Sequence, residues 1–127
     1  MKAIITVAVA MAATMGAVQA QDVAAGEQSF KKCIACHRIG EGAKNLVGPQ
    51  LNGLDGRKSG TAPDYNYSDA NKNSGITWNA QTFADYIKDP RGKIPSTKMI
   101  FPGIKNEKEV GDLWAYIAQF SADGKKK

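Results

Sequence analysis

The sequence predicts a small all-α domain in which three main helices and a few short helical turns are joined by long loops. Three observations predict it. Apolar residues recur at helical spacing near both ends of the chain and once between them. No stretch alternates apolar and polar residues over a useful strand length. Between His37 and Ser68 lie six glycines and two prolines, Gly40, Gly42, Gly48, Gly53, Gly56 and Gly60 with Pro49 and Pro63, a composition of turns and loops.

The elements can be taken in order, beginning with a stretch that does not read as part of the fold. Lys2 precedes the apolar run Ala3 to Ala13, and Val18-Gln19-Ala20 supplies the small-residue pattern of an export signal. Cleavage is expected after Ala20, because the run falls short of the roughly 20 residues of a membrane span. Residues 1–20 are thus read as a signal peptide and 21–127 as one domain, since 127 less 20 leaves 107 residues. With Lys2 removed, 16 basic residues face 12 acidic ones, a formal charge of +4. That balance favours acidic partners and is too mild to point to nucleic acid.

Asp22 can cap a first helix running to about Lys32, with Val23, Gly26 and Phe30 on one side. A short helical turn is expected from Ser68 to about Asn73, ahead of Gly75. Asn79 caps a helix from about Ala80 to Lys88, with Phe83, Tyr86 and Ile87 on one face and Pro90 closing it. Asn106 followed by Glu109 three residues on resembles a capping box, and Val110, Leu113, Trp114 and Ile117 form the buried stripe of the last helix. The tail Gly124-Lys125-Lys126-Lys127 is expected to be solvated and frayed.

Cys33-Ile34-Ala35-Cys36-His37 carries the chemistry. C-x-x-C-H is the attachment signature of a c-type haem, in which each thiol adds to a vinyl group and the histidine ligates the iron. A dithiol redox site would call for a strand before Cys33, a structural zinc for a fourth ligand, and a disulfide across so short a loop would stabilise little. A haem also accounts for the long central loops, which in a compact domain need something to wrap. The sequence therefore predicts loops folded around one covalent haem c.

After the signal is removed the chain keeps one His, one Met and two Cys. With both thiols taken up by the vinyl groups and no second histidine, Met99 is the remaining strong protein ligand for the iron. It lies in Ile94 to Gly103, a segment stiffened by Pro95 and Pro102 that is not expected to be helical. An iron saturated by His37 and Met99 exchanges single electrons and is closed to oxygen or peroxide, so the chain is expected to be a carrier and not an enzyme. An open iron, as in a peroxidase or gas sensor, is the alternative if Met99 is not bound.

With Gly26, Phe30, Gly48-Pro49, Arg57, Tyr67, Asn71, Trp78, Tyr86, Thr97-Lys98-Met99, Leu113 and Tyr116, the motif resembles the class I c-type cytochromes. Within them it is similar to the branch shared by mitochondrial cytochrome c and bacterial cytochrome c2. The resemblance covers nearly all of residues 21–127. It implies that the Pro49 carbonyl accepts the His37 N–H, and that Arg57, Tyr67 and Trp78 hold a haem propionate. It further implies that Tyr86, Asn71 and Thr97 stand beside Met99, and that Gly26 and Phe30 meet Leu113, Trp114 and Tyr116 where the terminal helices cross. Two features depart from the pattern: the approach to Cys33 looks one residue shorter than in the mitochondrial proteins, and some basic positions differ.

Lys31, Lys32, Lys44, Lys58, Lys93, Lys98, Lys105 and Lys108, with Arg91, flank the segments expected to touch the haem. A lysine-rich face of this kind, for example Lys32, Lys44, Arg91, Lys93, Lys98 and Lys105, would steer a monomeric carrier to acidic redox partners. By resemblance, those partners are a cytochrome bc1 complex as donor and a photosynthetic reaction centre or terminal oxidase as acceptor. The export signal places the protein in the periplasm.

Overall fold

A computed structural model describes residues 3–8 and 21–127. The expected cleavage point after Ala20 borders residues outside that description. Among the described residues five helices follow in order: α1 Val23–Phe30, α2 Asp69–Lys72, α3 Ala80–Lys88, α4 Pro90–Lys93 and α5 Glu107–Ala118. Among the described residues there are only isolated bridges in place of strands, Lys58 with Thr77 and Phe120 with Lys126. None of the described helices is long and apolar enough to cross a membrane.

The terminal helices α1 and α5 cross at Gly26, and the absence of a side chain permits it. A Cβ there would overlap the Asp112 carbonyl and stand 2.9 Å from the Tyr116 Cβ. Phe30 meets Tyr116 at 5.4 Å between ring centres. Trp114 turns to the other side of α5 and packs on Phe83 of α3 at 5.2 Å. Leu113 and Ile117 are fully buried between them, so α5 is the wall against which the remaining elements are assembled.

The start of each predicted helix matches the chain's capping chemistry. The Asp22 side chain accepts from the Ala25 N–H, and Ser68 accepts from Asn71. At α3, Asn79 and Thr82 satisfy each other's backbone N–H in a complete capping box. At α5 the expected box is only half present. Asn106 accepts from the Glu109 N–H, but the Glu109 carboxylate turns away to Ser29 on α1 and to Lys32 just beyond its end. An ion pair across the helix crossing has displaced a local cap.

Two further expectations are corrected. Pro90 does end α3, yet it also begins α4, because Pro suits the first helical position and Asp89 caps from just before it. The tail is not frayed: Ser121 N–H donates to the Lys125 carbonyl and Lys127 N–H to the Gln119 carbonyl, both at 2.8 Å. Gly124, at φ +83°, lies against Gly40, where any Cβ would strike backbone. The lysines thus project from a turn whose backbone is paired, with the Lys126 ammonium 5.9 Å from the Phe120 ring centre.

The central loops fold as the glycine content predicts, and backbone bonds define their course. Residues 56–59 run antiparallel to 76–78, with Gly56 N–H donating to Trp78 O and Ser59 N–H to Ile76 O. That pairing joins Arg57 and Trp78, with Trp78 N–H donating to Arg57 O at 2.9 Å, on the wall of an apolar cavity.

Candidate functional site

α1 ends at Phe30, two residues earlier than expected, and the chain continues in helical turns through Cys36. His37 N–H donates to Cys33 O at 2.8 Å, which places Cys33, Cys36 and His37 on the wall of one cavity of about 270 Å³. Both thiols are free and half-buried. Burial pushes the Cys33 thiol up to about 11, against the opposing pull of Lys32.

The His37 imidazole is fixed from two directions. Its Nδ1 lies 2.7 Å from the Pro49 carbonyl oxygen, which can only accept, so Nδ1 carries the proton and Nε2 the lone pair. Gly48 leaves room for the ring: a Cβ there would come within 2.7 Å of Nδ1 and 2.9 Å of Nε2. The loop bearing both residues is tied back by Gly48 N–H to Cys36 O at 2.8 Å and Leu51 N–H to Arg38 O at 3.0 Å. Burial lowers the pKa of His37, which keeps the imidazole neutral and able to ligate a metal.

Met99 reaches the same cavity from the segment after α4. The Tyr86 hydroxyl, from α3, donates to its sulfur at 3.3 Å and lies 3.3 Å from the Thr97 hydroxyl. Thr97 Oγ1 in turn accepts from the Met99 N–H at 3.2 Å. The segment is non-helical as expected. Its turn closes through Thr97 N–H to Ile94 O, with Pro95 second and Ser96 third at φ +67°, the geometry of a type II turn. Lys98 donates to the Asn66 carbonyl at 2.9 Å, tying this segment to the loop across the cavity.

Arg57, Tyr67, Trp78 and Asn71 all line the cavity. Arg57 donates to the Gln50 and Asn52 carbonyls at 3.0 and 3.1 Å, and burial lowers its pKa. The buried Tyr67 oxygen accepts from the Ala62 N–H at 3.0 Å. The Asn71 carboxamide is held by the Ser59 hydroxyl at 2.5 Å, while Tyr86 and Thr97 contact Met99 directly. Sequence reasoning missed Tyr65, whose hydroxyl donates to Val47 O at 2.6 Å and whose ring stands edge-on to Tyr67 at 4.7 Å. Leu54, Phe83, Ile87, Leu113 and Ile117 supply apolar wall, so the helical stripes read as core also line the site.

The basic residues divide. Of the six singled out, Lys32 and Lys98 line the cavity, whereas Lys44, Arg91, Lys93 and Lys105 are exposed elsewhere. Lys32 is paired with Glu109, Lys105 donates to the Lys88 carbonyl, and Lys108 pairs with Asp112 at 2.7 Å. Val47 and Ile100, large and exposed, stand on the cavity wall between these charges.

Two thiols one turn apart, a neutral imidazole with a free Nε2, a thioether, apolar walls and a guanidinium among the lining residues fit a covalent haem. Comparisons with known proteins agree. The family model for cytochrome c matches residues 23–121. The chain is 72% identical over 102 residues to cytochrome c-550 of Bradyrhizobium diazoefficiens, covering 80% of this chain and 75% of that one. It is 69% identical over 107 residues to a cytochrome c2 of Rhodoplanes tepidamans, covering 84% and 100% respectively. The solved structure of cytochrome c2 from Rhodospirillum centenum superposes with a TM-score of 0.75 at 42% identity, over 79% of this chain and 98% of that one.

Proposed function

Since this chain belongs to the cytochrome c family, and so carries electrons on a covalently bound haem c, we propose that His37 and Met99 are the two protein ligands of its iron. Bound in this cavity, haem supplies a one-electron iron(III)/iron(II) couple. Cys33 and Cys36 anchor the ring. The Pro49 carbonyl keeps His37 in the tautomer that presents Nε2, and Arg57 with Tyr67 and Trp78 compensates a propionate that would otherwise be costly to bury. Tyr86 and Thr97 orient the Met99 sulfur. With His37 and Met99 both bound to the iron, small molecules would be shut out, and the chain would act as a carrier and not an enzyme.

The observation that supports this reading best is the Tyr86 hydroxyl aimed at the Met99 sulfur from inside the cavity that holds His37. The ferric protein is expected to be low-spin, with a weak sulfur-to-iron band in the near infrared that Met99→Ala abolishes. A high-spin ferric spectrum, or immediate uptake of azide without loss of that band, would instead indicate an open iron site.

The carrier is exported to the periplasm after cleavage at Ala20, acts as a monomer, and exchanges electrons with membrane redox complexes. In this reading the donor is a cytochrome bc1 complex and the acceptor a reaction centre or terminal oxidase. Docking uses the rim where Lys32 and Lys98 border the cavity, with Lys44, Arg91, Lys93 and Lys105 contributing longer-range attraction.

A further inference from the structure

The chain contains one Asn-Gly step, Asn52-Gly53, and the fold binds every atom of it that could react. Asn-Gly is the dipeptide with least steric hindrance to backbone attack on the side-chain amide, because Gly has no Cβ to block the approach. Asn52 is 7% exposed. Its carboxamide pairs twice with Gly40, accepting from the N–H and donating to the carbonyl, both at 2.8 Å. Its own N–H donates to Gln50 Oε1 at 2.7 Å, and its carbonyl accepts from Arg57 at 3.1 Å. The attacking atom, Gly53 N, donates to Phe120 O at 3.0 Å, and Gly53 itself is held at φ +64° against Ala122.

Those restraints come from four separate places: the loop after His37, the Gln50 turn, Arg57 and the C-terminal turn. We propose that Asn52-Gly53 is a deamidation site kept closed by the completed fold and open in the chain that has not yet received haem. In that chain Gly53 N attacks Asn52 Cγ, a C–N bond forms, and the Cγ–Nδ2 bond breaks. The amide proton leaves with Nδ2 as ammonia. Water then opens the resulting succinimide at either carbonyl, giving aspartate or isoaspartate, with no reactant other than water.

The product cannot re-enter the fold on the same terms. A carboxylate at position 52 has no N–H to offer the Gly40 carbonyl, and its charge would be desolvated in a site only 7% exposed. Deamidation therefore converts a temporarily haem-free chain into one that folds poorly even when haem is later supplied. The site acts as a timer on maturation.

This inference rests on the reading that the loops need haem to assemble, and is independent of which side chains ligate the iron. The test incubates the holoprotein and the full chain with Cys33 and Cys36 both replaced by serine, at neutral pH, and follows residue 52 by peptide mapping. Isoaspartate at 52 should form at least about tenfold faster in the haem-free chain, as expected when opening is no longer suppressed by the native bonds. Gly53→Ala in the same haem-free background should slow it severalfold. Equal rates in the two proteins, or a haem-free chain that keeps Asn52 intact, would overturn the proposal. The near-infrared band of the holoprotein is read separately, so a failure of the Met99 assignment would be distinguishable.

Discussion

At the scale of single residues, Tyr86 is the clearest lever on the electron's energy. Its hydroxyl withdraws density from the Met99 sulfur through the 3.3 Å hydrogen bond, which under the proposed His37 and Met99 ligation disfavours iron(III). Tyr86→Phe removes the donor and leaves the ring's packing on Trp78. The reduction potential should fall by about 20–60 mV, one neutral hydrogen bond of roughly 0.5–1.5 kcal/mol converted at 59 mV per tenfold. Voltammetry on the two proteins checks it; an unchanged or raised potential would sever Tyr86 from the iron. Burial pushes the Tyr86 phenol above its ordinary pKa, so the donor persists through neutral and mildly alkaline solution. The contiguous motif Cys33 to His37 was legible in the sequence because its chemistry is local. Tyr65 was not, because its place depends on the Val47 loop arriving from 18 residues away. The resemblance places Asn71 beside Met99, but its carboxamide is held by Ser59, through a chain crossing that no spacing reveals.

At the scale of elements, α1 and α5 are joined by charge as well as by the Gly26 crossing. Glu109 is held below the ordinary carboxyl range first by Lys32 and then by Ser29, and Asp112 first by Lys108 and then by the Asp22 N–H. Both carboxyls release their protons more readily folded than unfolded. The stability they contribute is therefore complete above the ordinary carboxyl range, begins to fall as pH enters it, and is lost once pH has passed below the lowered folded-state values. Glu109→Gln should lower stability at neutral pH by up to about 1 kcal/mol, as for an exposed pair, and flatten the acid limb of urea midpoint against pH. An acid limb identical to that of the parent protein would show the clasp to be inert. The helices themselves were largely legible: α3 has the predicted bounds because its cap and apolar face are both local signals. α4 was hidden because Pro90 reads equally as a stop and as a start, and Asp89 serves both ends. The C-terminal turn was hidden because a lysine run looks solvated until Gly40 and Phe120 supply its partners.

At the scale of the whole molecule, the fold is built around a cavity. Leu54, Phe83, Ile87, Leu113 and Ile117 face it, and a domain of roughly 100 residues has little core to spare. The chain without haem should lack a cooperative thermal transition by near-ultraviolet circular dichroism, because binding of the ring to the folded state alone supplies much of the stability. A sharp transition in the haem-free chain would contradict this. The long stretch from His37 to Ser68, which would count against a compact domain with an ordinary core, was legible as a wrapper only through the adjacent motif. The partial burial of Cys33 also favours one order of construction. With its thiol raised to about 11 by burial, the nucleophilic thiolate at neutral pH is scarcer in the folded pocket than in the open chain. Thioether formation is thus favoured while that sulfur is better hydrated, with the polypeptide closing over its prosthetic group afterwards.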